Sequence, residues 1–443
     1  MSPRILRPLS AHGFPALKGR IRVPGDKSIS HRALMLGGTA RGSTHIQGLL
    51  TGEDVMATGR AMAAMGARIS EDGGVWTAQG LGVGSLLDPS TPLDMGNSGT
   101  STRLLLGLIA SNPIKATLVG DASLQARPMG RVTVPLAMMG ADFDDQNSGK
   151  LPLTVIGGQL APIDYESPVA SAQVKSCLLL AGLNTPGKTT VIEPKPTRDH
   201  CERMLRAFGA ELRVEGPRVT IDGQADLVGQ EVVVPGDPSS AAFFAVAAAI
   251  TPGSDLTIEN VCLNPTRTGL LLTLVEMGAD ITYEDRRQSG GEDVADVRVR
   301  HSALRGVQVP ADRAASMIDE YLILAVAAAC AEGQTHMAGL QELRVKESDR
   351  LAGAAAILAA AGVPHRLGED WLRVEGLGDG QGGNAIAGGG QVQTHLDHRM
   401  AMATLILGGV TGAAMGVDDA TCIQTSFPNF EPLLVTLGAQ LVG

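Results

Sequence analysis

Hydrophobic and polar positions along the chain fall into two patterns, each recurring across its whole length. In the first, a helical run of apolar residues ends in an apolar–Gly–small string: AMAAMGARI, PLAMMGADF, MLRAFGAEL, TLVEMGADI, ILAAAGVPH and LLVTLGAQL. The glycines are Gly66, Gly140, Gly209, Gly278, Gly362 and Gly438. Each stands where a helix end calls for a residue with φ > 0, and a strand is expected to follow. In the second pattern an apolar helix runs into a Gly-containing turn and a β-rich stretch, as in CLLLAGLNTPGKTTVIEP and AAFFAVAAAITPGSDLTIENV. Helix and strand therefore alternate throughout, with two helices per repeat of roughly 70 residues, which predicts an α/β fold.

Polar residues gather where the second-pattern helices begin: DKSIS (26–30), NSGTSTR (97–103), SAQ (171–173), DPSS (237–240), IDE (318–320) and LDHR (396–399). There is also an echo at half length. Val23-Pro24-Gly25-Asp26-Lys27-Ser28 returns as Val234-Pro235-Gly236-Asp237-Pro238-Ser239. Three repeats between the echoes and three after them predict two similar domains, residues 22–235 and residues 1–21 plus 236–443. The hinges are expected near the two PGD turns, with the active site in the inter-domain cleft. A repeat scaffold without a site would tolerate any polar residue at these helix starts. The six starts instead carry different residues, from Lys-Ser to Asp-Glu to His-Arg, and diversity of that kind suits a site.

Composition narrows the partners. The 443 residues include 56 Gly and 24 Pro, which together are about 18%, below the level of low-complexity chains. The glycines therefore read as turns in an ordered fold. A net charge of −10 argues against nucleic acid and against a polybasic membrane anchor, but not against small anions, which respond to local charge. Cys177, Cys201, Cys262, Cys330 and Cys422 are odd in number and lack CxxC spacing, as expected of reduced thiols in a cytoplasmic protein. No signal-like apolar segment opens the chain, and the apolar stretch Met400–Val417 is too short and too rich in small residues for a membrane span.

A helix N-terminus presents unpaired N–H groups and a partial positive charge, so several converging starts would bind phosphates and carboxylates. No Walker sequence or G-x-S-x-G elbow is present, and Gly80-Leu81-Gly82-Val83-Gly84 has the wrong spacing for a dinucleotide loop. Near the starts lie Lys27, Arg32, Arg103, Arg127, Arg131, Lys175, Arg198, Arg344, Lys346, Arg350 and Arg399. Each alone reads as a solvated charge, and Lys346 has an i,i+4 partner in Glu342. His395, Asp397 and His398 make a weak metal signal with no third dedicated ligand. Ser316-x-x-Asp319 has capping-box spacing, and Glu347 suits a helix first turn. Two carboxylates among many cations are nonetheless what proton transfer between bound anions requires.

At these residues the chain resembles a known family. PGDKSISHRA (24–33), GNSGTSTRL (96–104), GDASLQARPMGR (120–131), SAQVKS (171–176), SMIDEY (316–321), LRVKESDR (343–350) and DHRMAM (397–402) are similar, in order, to the 5-enolpyruvylshikimate-3-phosphate (EPSP) synthases. NPTRTG (264–269) and SFPNF (426–430) resemble the class II branch. The resemblance implies an enolpyruvyl transferase-like fold, an inside-out α/β barrel of two domains with three βαβαββ units each. It implies transfer of the enolpyruvyl group of phosphoenolpyruvate to the 5-hydroxyl of shikimate 3-phosphate, with release of phosphate, through a tetrahedral intermediate.

By the same resemblance Lys27, Ser28, Arg32, Ser171, Gln173, Arg198, Asp319 and Lys346 hold shikimate 3-phosphate. Lys27, Gly99, Thr100, Arg127, Gln173, Arg350 and Arg399 hold phosphoenolpyruvate. The catalytic residues are Asp319 as base toward the 5-hydroxyl, Glu347 as acid toward the methylene carbon, and Lys27. No metal or organic cofactor is implied, a monomer is expected, and glyphosate is the inhibitor the family points to. Two positions depart from the pattern: Thr425 stands where many members carry Lys, and Ala172 where many carry a second Ser. The sister transferase acting on UDP-N-acetylglucosamine typically carries a Cys in the loop before Arg-Pro, and residues 120–127 have none. A catalytically dead metabolite-binding repeat protein is the remaining alternative, and the presence of Lys27, Asp319 and Glu347 together speaks against it.

Overall fold

A computed structural model describes residues 6–144 and 149–443. The first five residues, which the sequence reading joined to the second domain, lie outside the described residues. The repeated helix ends are built alike. At all six glycines φ lies between 78° and 105°, and the amide of the next residue donates back across the turn. These bonds are Ala67 to Met62, Ala141 to Leu136, Ala210 to Leu205, Ala279 to Leu274, Val363 to Leu358 and Ala439 to Leu434, at 2.9–3.1 Å. The glycine amides close the inner bond of the same motif, so each end leaves few orphan carbonyls. A residue with a Cβ would be strained at each of these positions.

Six further helices follow the polar strings: α1 (Lys27–Thr39), α2 (Gly99–Ala110), α3 (Ala172–Gly182), α4 (Pro238–Ile250), α5 (Tyr321–Ala329) and α6 (His398–Gly408). They are buried almost all round, and α4, α5 and α6 are buried at every residue. Apolar and small residues on every face, rather than on a stripe, put them at the centre of the fold. All but α5 have their first turns capped, by Asp26, Ser98, Ser171, Asp237 and Asp397, whose side chains accept from amides two or three residues on. Close approach between them depends on missing side chains. A Cβ on Gly107 of α2 would lie 2.1 Å from the Cys177 carbonyl oxygen of α3.

Among the described residues the strands form six four-stranded sheets, all with one spatial order of pairing. In each, the first pair of strands is parallel and the next pair antiparallel. Three positions are filled from distant parts of the chain. Glu231–Val233 pairs with Arg41–Gln47, Lys18–Arg22 pairs with Asp255–Cys262, and Leu9–Ala11 lies between Met415–Val417 and Leu441–Val442. Alternating burial along strands such as Arg41–Gln47 shows one face on the core and one face wet.

The chain divides into two compact units. One comprises Gly25–Val234 with Ser289–Gly291; the other comprises residues 6–24, Pro235–Gln288 and Glu292–Gly443. Each holds three of the buried helices and has its own hydrophobic core. The core of the second gathers Phe243, Phe244, Phe427 and Phe430, with ring centroids 5.5–6.2 Å apart. Among the described residues no helix is long and apolar enough to cross a membrane.

Candidate active site

The residues singled out by the sequence divide between the two units. Lys27, Ser28, Arg32, Gly99, Thr100, Arg127, Ser171, Gln173 and Arg198 lie in the unit containing 25–234. Asp319, Lys346, Glu347, Arg350 and Arg399 lie in the other.

In the first unit the starts of α1, α2 and α3 supply the cluster. Lys27 Nζ is 2.7 Å from Asp54 Oδ2, a first-turn residue of the helix Glu53–Ala64. Arg32 is buried one turn further along α1, donating to Ser28 O at 2.9 Å and to Ser176 Oγ of α3 at 2.6 Å. Gln173 links two starts: its Nε2 donates to Thr100 Oγ1 at 3.1 Å, and its Oε1 accepts from Arg103 Nη1 at 2.7 Å. Arg127 donates to Asn97 Oδ1 at 2.6 Å and to Ser123 Oγ at 3.1 Å. Gly99 leaves room for both guanidinium groups, since a Cβ there would lie 3.0 Å from Arg127 Nη1 and 3.3 Å from Arg103 Nη1. Arg103 and Asn97 therefore belong to this cluster and were not assigned from sequence, though both lie inside the NSGTSTR string.

Behind this cluster His31 is fully buried, with Nδ1 2.7 Å from Thr58 Oγ1. Burial, then Lys27 and Arg32, hold its pKa well below the ordinary histidine value, so the ring is neutral. Thr58 in turn meets Ser101 at 2.6 Å, and Ser101 meets the cap Ser98 at 2.7 Å. Buried hydroxyls thus join α1, α2 and the helix Glu53–Ala64.

In the second unit one guanidinium organises the carboxylates. Arg350 opens the helix Arg350–Ala361 and is only 1% exposed. Its Nη1 donates to Asp319 Oδ1 at 2.9 Å, its Nε to Asp397 Oδ2 at 2.8 Å, and its Nη2 lies 2.7 Å from Glu347 Oε2. Burial opposes the charge on Arg350, but Asp397, Glu347 and Asp319 more than offset it and hold the pKa above the usual arginine value. Asp397 is buried too; burial pushes its carboxyl up, yet Arg350 wins and keeps it below the ordinary range. Lys346 Nζ also reaches Asp319 Oδ1, at 3.3 Å, and Arg399 Nη1 donates to the Asp319 carbonyl at 3.1 Å.

One local reading of the sequence changes here, and two other strings acquire partners. Ser316 sits inside the short helix Ala314–Met317 and donates to Arg313 O, so Ser316 and Asp319 form no capping box. Segment Gln341–Val345 is a 3₁₀ helix, which brings Lys346 to Asp319. Asp397 of the suspected metal string caps α6 and pairs with Arg350, while His398 Nδ1 meets Thr425 Oγ1 at 3.2 Å.

Against known proteins, the family model described as EPSP synthase (3-phosphoshikimate 1-carboxyvinyltransferase) matches residues 12–434. A 3-phosphoshikimate 1-carboxyvinyltransferase of Rhizobium johnstonii is 58% identical, over 98% of this chain and 97% of that protein. One from a Chelativorans species is 57% identical, over 98% of each. Among solved structures, EPSP synthase from Acinetobacter baumannii superimposes with a TM-score of 0.87 at 45% identity, covering 98% of this chain and 100% of that one. The enolpyruvyl transferase NikO from Streptomyces tendae has a TM-score of 0.78 at 20% identity over 99% of each chain, a likeness of fold.

Proposed function

The chain belongs to the EPSP synthase family, and on that premise we propose how its own residues carry out the reaction. The enzyme transfers the enolpyruvyl group of phosphoenolpyruvate to the 5-hydroxyl of shikimate 3-phosphate and releases phosphate, a step of aromatic amino-acid synthesis. We read the two clusters as the groups that hold the substrates and move the protons.

The observation that carries the reading is the carboxylate Asp319 held by Lys346 and Arg350, with Glu347 on the same guanidinium. Asp319 takes the proton of the 5-hydroxyl as its oxygen attacks C2 of phosphoenolpyruvate, and Glu347 delivers a proton to C3. The product of this addition is a tetrahedral phosphoketal. In the second step a methyl proton returns to Glu347, the C2–O bond to phosphate breaks, the leaving phosphate takes the proton held by Asp319, and the enol ether forms. Arg350 holds base and acid in register and also binds phosphoenolpyruvate on this reading.

Lys27, Gly99, Thr100, Arg127, Gln173 and Arg399 bind phosphoenolpyruvate on this reading. Lys27, Ser28, Arg32, Ser171, Gln173, Arg198, Asp319 and Lys346 bind shikimate 3-phosphate. Each phosphate monoester carries about −1.5 to −2 charge at neutral pH, so two adjacent substrates repel. Charge-assisted hydrogen bonds of roughly 1.5–3 kcal/mol each offset that repulsion. Glyphosate, a small anion, competes at the phosphoenolpyruvate position. The enzyme works as a cytoplasmic monomer, and five buried cysteines outside any disulfide support a reducing compartment.

The test is phosphate release from phosphoenolpyruvate with each acceptor supplied in turn. Release with shikimate 3-phosphate alone is expected. Release with UDP-N-acetylglucosamine only, or with neither, overturns the reading.

A further inference from the structure

One buried charged group in the unit holding 25–234 has no part in the chemistry above. Lys175 lies in α3 two residues after Gln173 and is 2% exposed. Its ammonium is 2.8 Å from Glu193 Oε2, 2.6 Å from Glu202 Oε1 and 3.5 Å from the Thr197 carbonyl. The Thr197 hydroxyl donates to the other oxygen of Glu193. Both carboxylates are buried, and Glu202 Oε2 has no hydrogen-bond partner among the described residues. Two acids share one cation in a dry place, and burial pushes the Glu202 carboxyl above its ordinary range. Well-packed apolar side chains of similar volume would serve stability as well or better. A role in folding therefore does not account for the triad.

Its placement does. Glu193 and Glu202 stand on either side of Arg198 in the chain, Glu193 just after the strand Lys188–Ile192 and Glu202 in the first turn of the helix His200–Ala207. Lys175 fastens both stems of this segment to the turn of α3 that carries Ser171 and Gln173. The segment has no regular secondary structure between Glu193 and Asp199, so these bonds limit where Arg198 can go.

We propose that Lys175 is a positioning residue that clamps the two stems of the 193–202 segment onto the start of α3. The clamp sets the spacing of Arg198 from Ser171 and Gln173, and with it the affinity for the phosphorylated acceptor. This rests on the reading of Arg198 and Ser171 as holders of shikimate 3-phosphate. The effect should fall on the acceptor and spare phosphoenolpyruvate, most of whose holders lie outside the segment.

The decisive variant removes every charge of the triad at once, Lys175→Met with Glu193→Gln and Glu202→Met, and is compared with Arg198→Ala and with the two combined. The charge-free variant is expected to fold with an unchanged or higher Tm. Its KM for shikimate 3-phosphate should rise between about ten- and a hundredfold, the scale of a small misplacement, with KM for phosphoenolpyruvate within about threefold. Adding Arg198→Ala to it should raise the acceptor KM no further than Arg198→Ala does alone. A wild-type acceptor KM in the charge-free variant, beside a raised one in Arg198→Ala, overturns the clamp and leaves the site reading standing. An unchanged acceptor KM in Arg198→Ala overturns the reading of Arg198, and the clamp with it. Equal rises for both substrates, or failure to fold, mark the triad as a general stability element and also overturn the proposal.

Discussion

Gly99→Ala adds one methyl group at the first residue of α2, where two assays should move differently. For folding, alanine in place of glycine stabilises a helix by up to about 1 kcal/mol, less at its first turn. For binding, the methyl would stand 3.0 Å from Arg127 Nη1 and 3.3 Å from Arg103 Nη1, whereas ordinary contact begins near 3.4 Å. Both guanidinium groups are buried and tied down, Arg127 by Asn97 and Ser123, Arg103 by Gln173 and the Pro128 carbonyl. They must recede by a few tenths of an ångström. A charge-assisted bond worth roughly 1.5–3 kcal/mol loses part of its strength over that distance. A loss of about 1 kcal/mol corresponds to about fivefold in affinity.

The expected result is therefore an unchanged or slightly raised Tm, a KM for phosphoenolpyruvate up about fivefold, and a KM for shikimate 3-phosphate little changed. Phosphate release with each substrate varied against a saturating level of the other, with a thermal melt of the same preparation, measures all three. An unmoved phosphoenolpyruvate KM at normal Tm would remove Arg127 and Gly99 from that site.

Other substitutions probe the remaining links. Asp319→Asn should lower kcat by about 10²–10⁴ while both KM values stay within a modest factor; near-full turnover would take Asp319 out of the mechanism. Gly107→Ala would set a Cβ 2.1 Å from the Cys177 carbonyl oxygen, so α2 and α3 must part. A loss of about 1–3 kcal/mol or more in a urea melt is expected, and wild-type stability would contradict the packing. His31 is neutral in the fold with a depressed pKa, so its contribution is complete above the unfolded value of about 6.5 and is lost as pH falls below it. The melting midpoint of His31→Gln should accordingly depend less on pH between about 6.5 and 5 than that of the parent, and parallel curves would refute the assignment.

The fold class was legible because its signals are local. The six glycine-ended helices declare themselves within a few residues, and each closes with the same pair of backbone bonds. The helix starts were legible for the same reason, since Asp26, Ser98, Ser171, Asp237 and Asp397 cap amides two or three positions away. Asp54 was not legible as a partner of Lys27, nor Asp397 as a partner of Arg350, because those pairs are 27 and 47 residues apart. Asp397 had stood out only as the carboxylate of a weak metal signal. Spacing along the chain gives no warning of such meetings.

The sequence by itself determined the repeat, its alternation of helix and strand, and the chemistry displayed at the helix starts. Every one of these follows from interactions within a turn or two of backbone. Only the tertiary structure decided which strands complete the sheets, and Leu9–Ala11, Lys18–Arg22 and Glu231–Val233 do so far from where the repeat would place them. Strands of three to five residues carry too few side chains to declare a partner. Their place is set by whichever sheet edge offers unpaired backbone groups. The same holds for buried charge: Lys175 and Arg350 read as surface residues until the fold surrounds each with carboxylates.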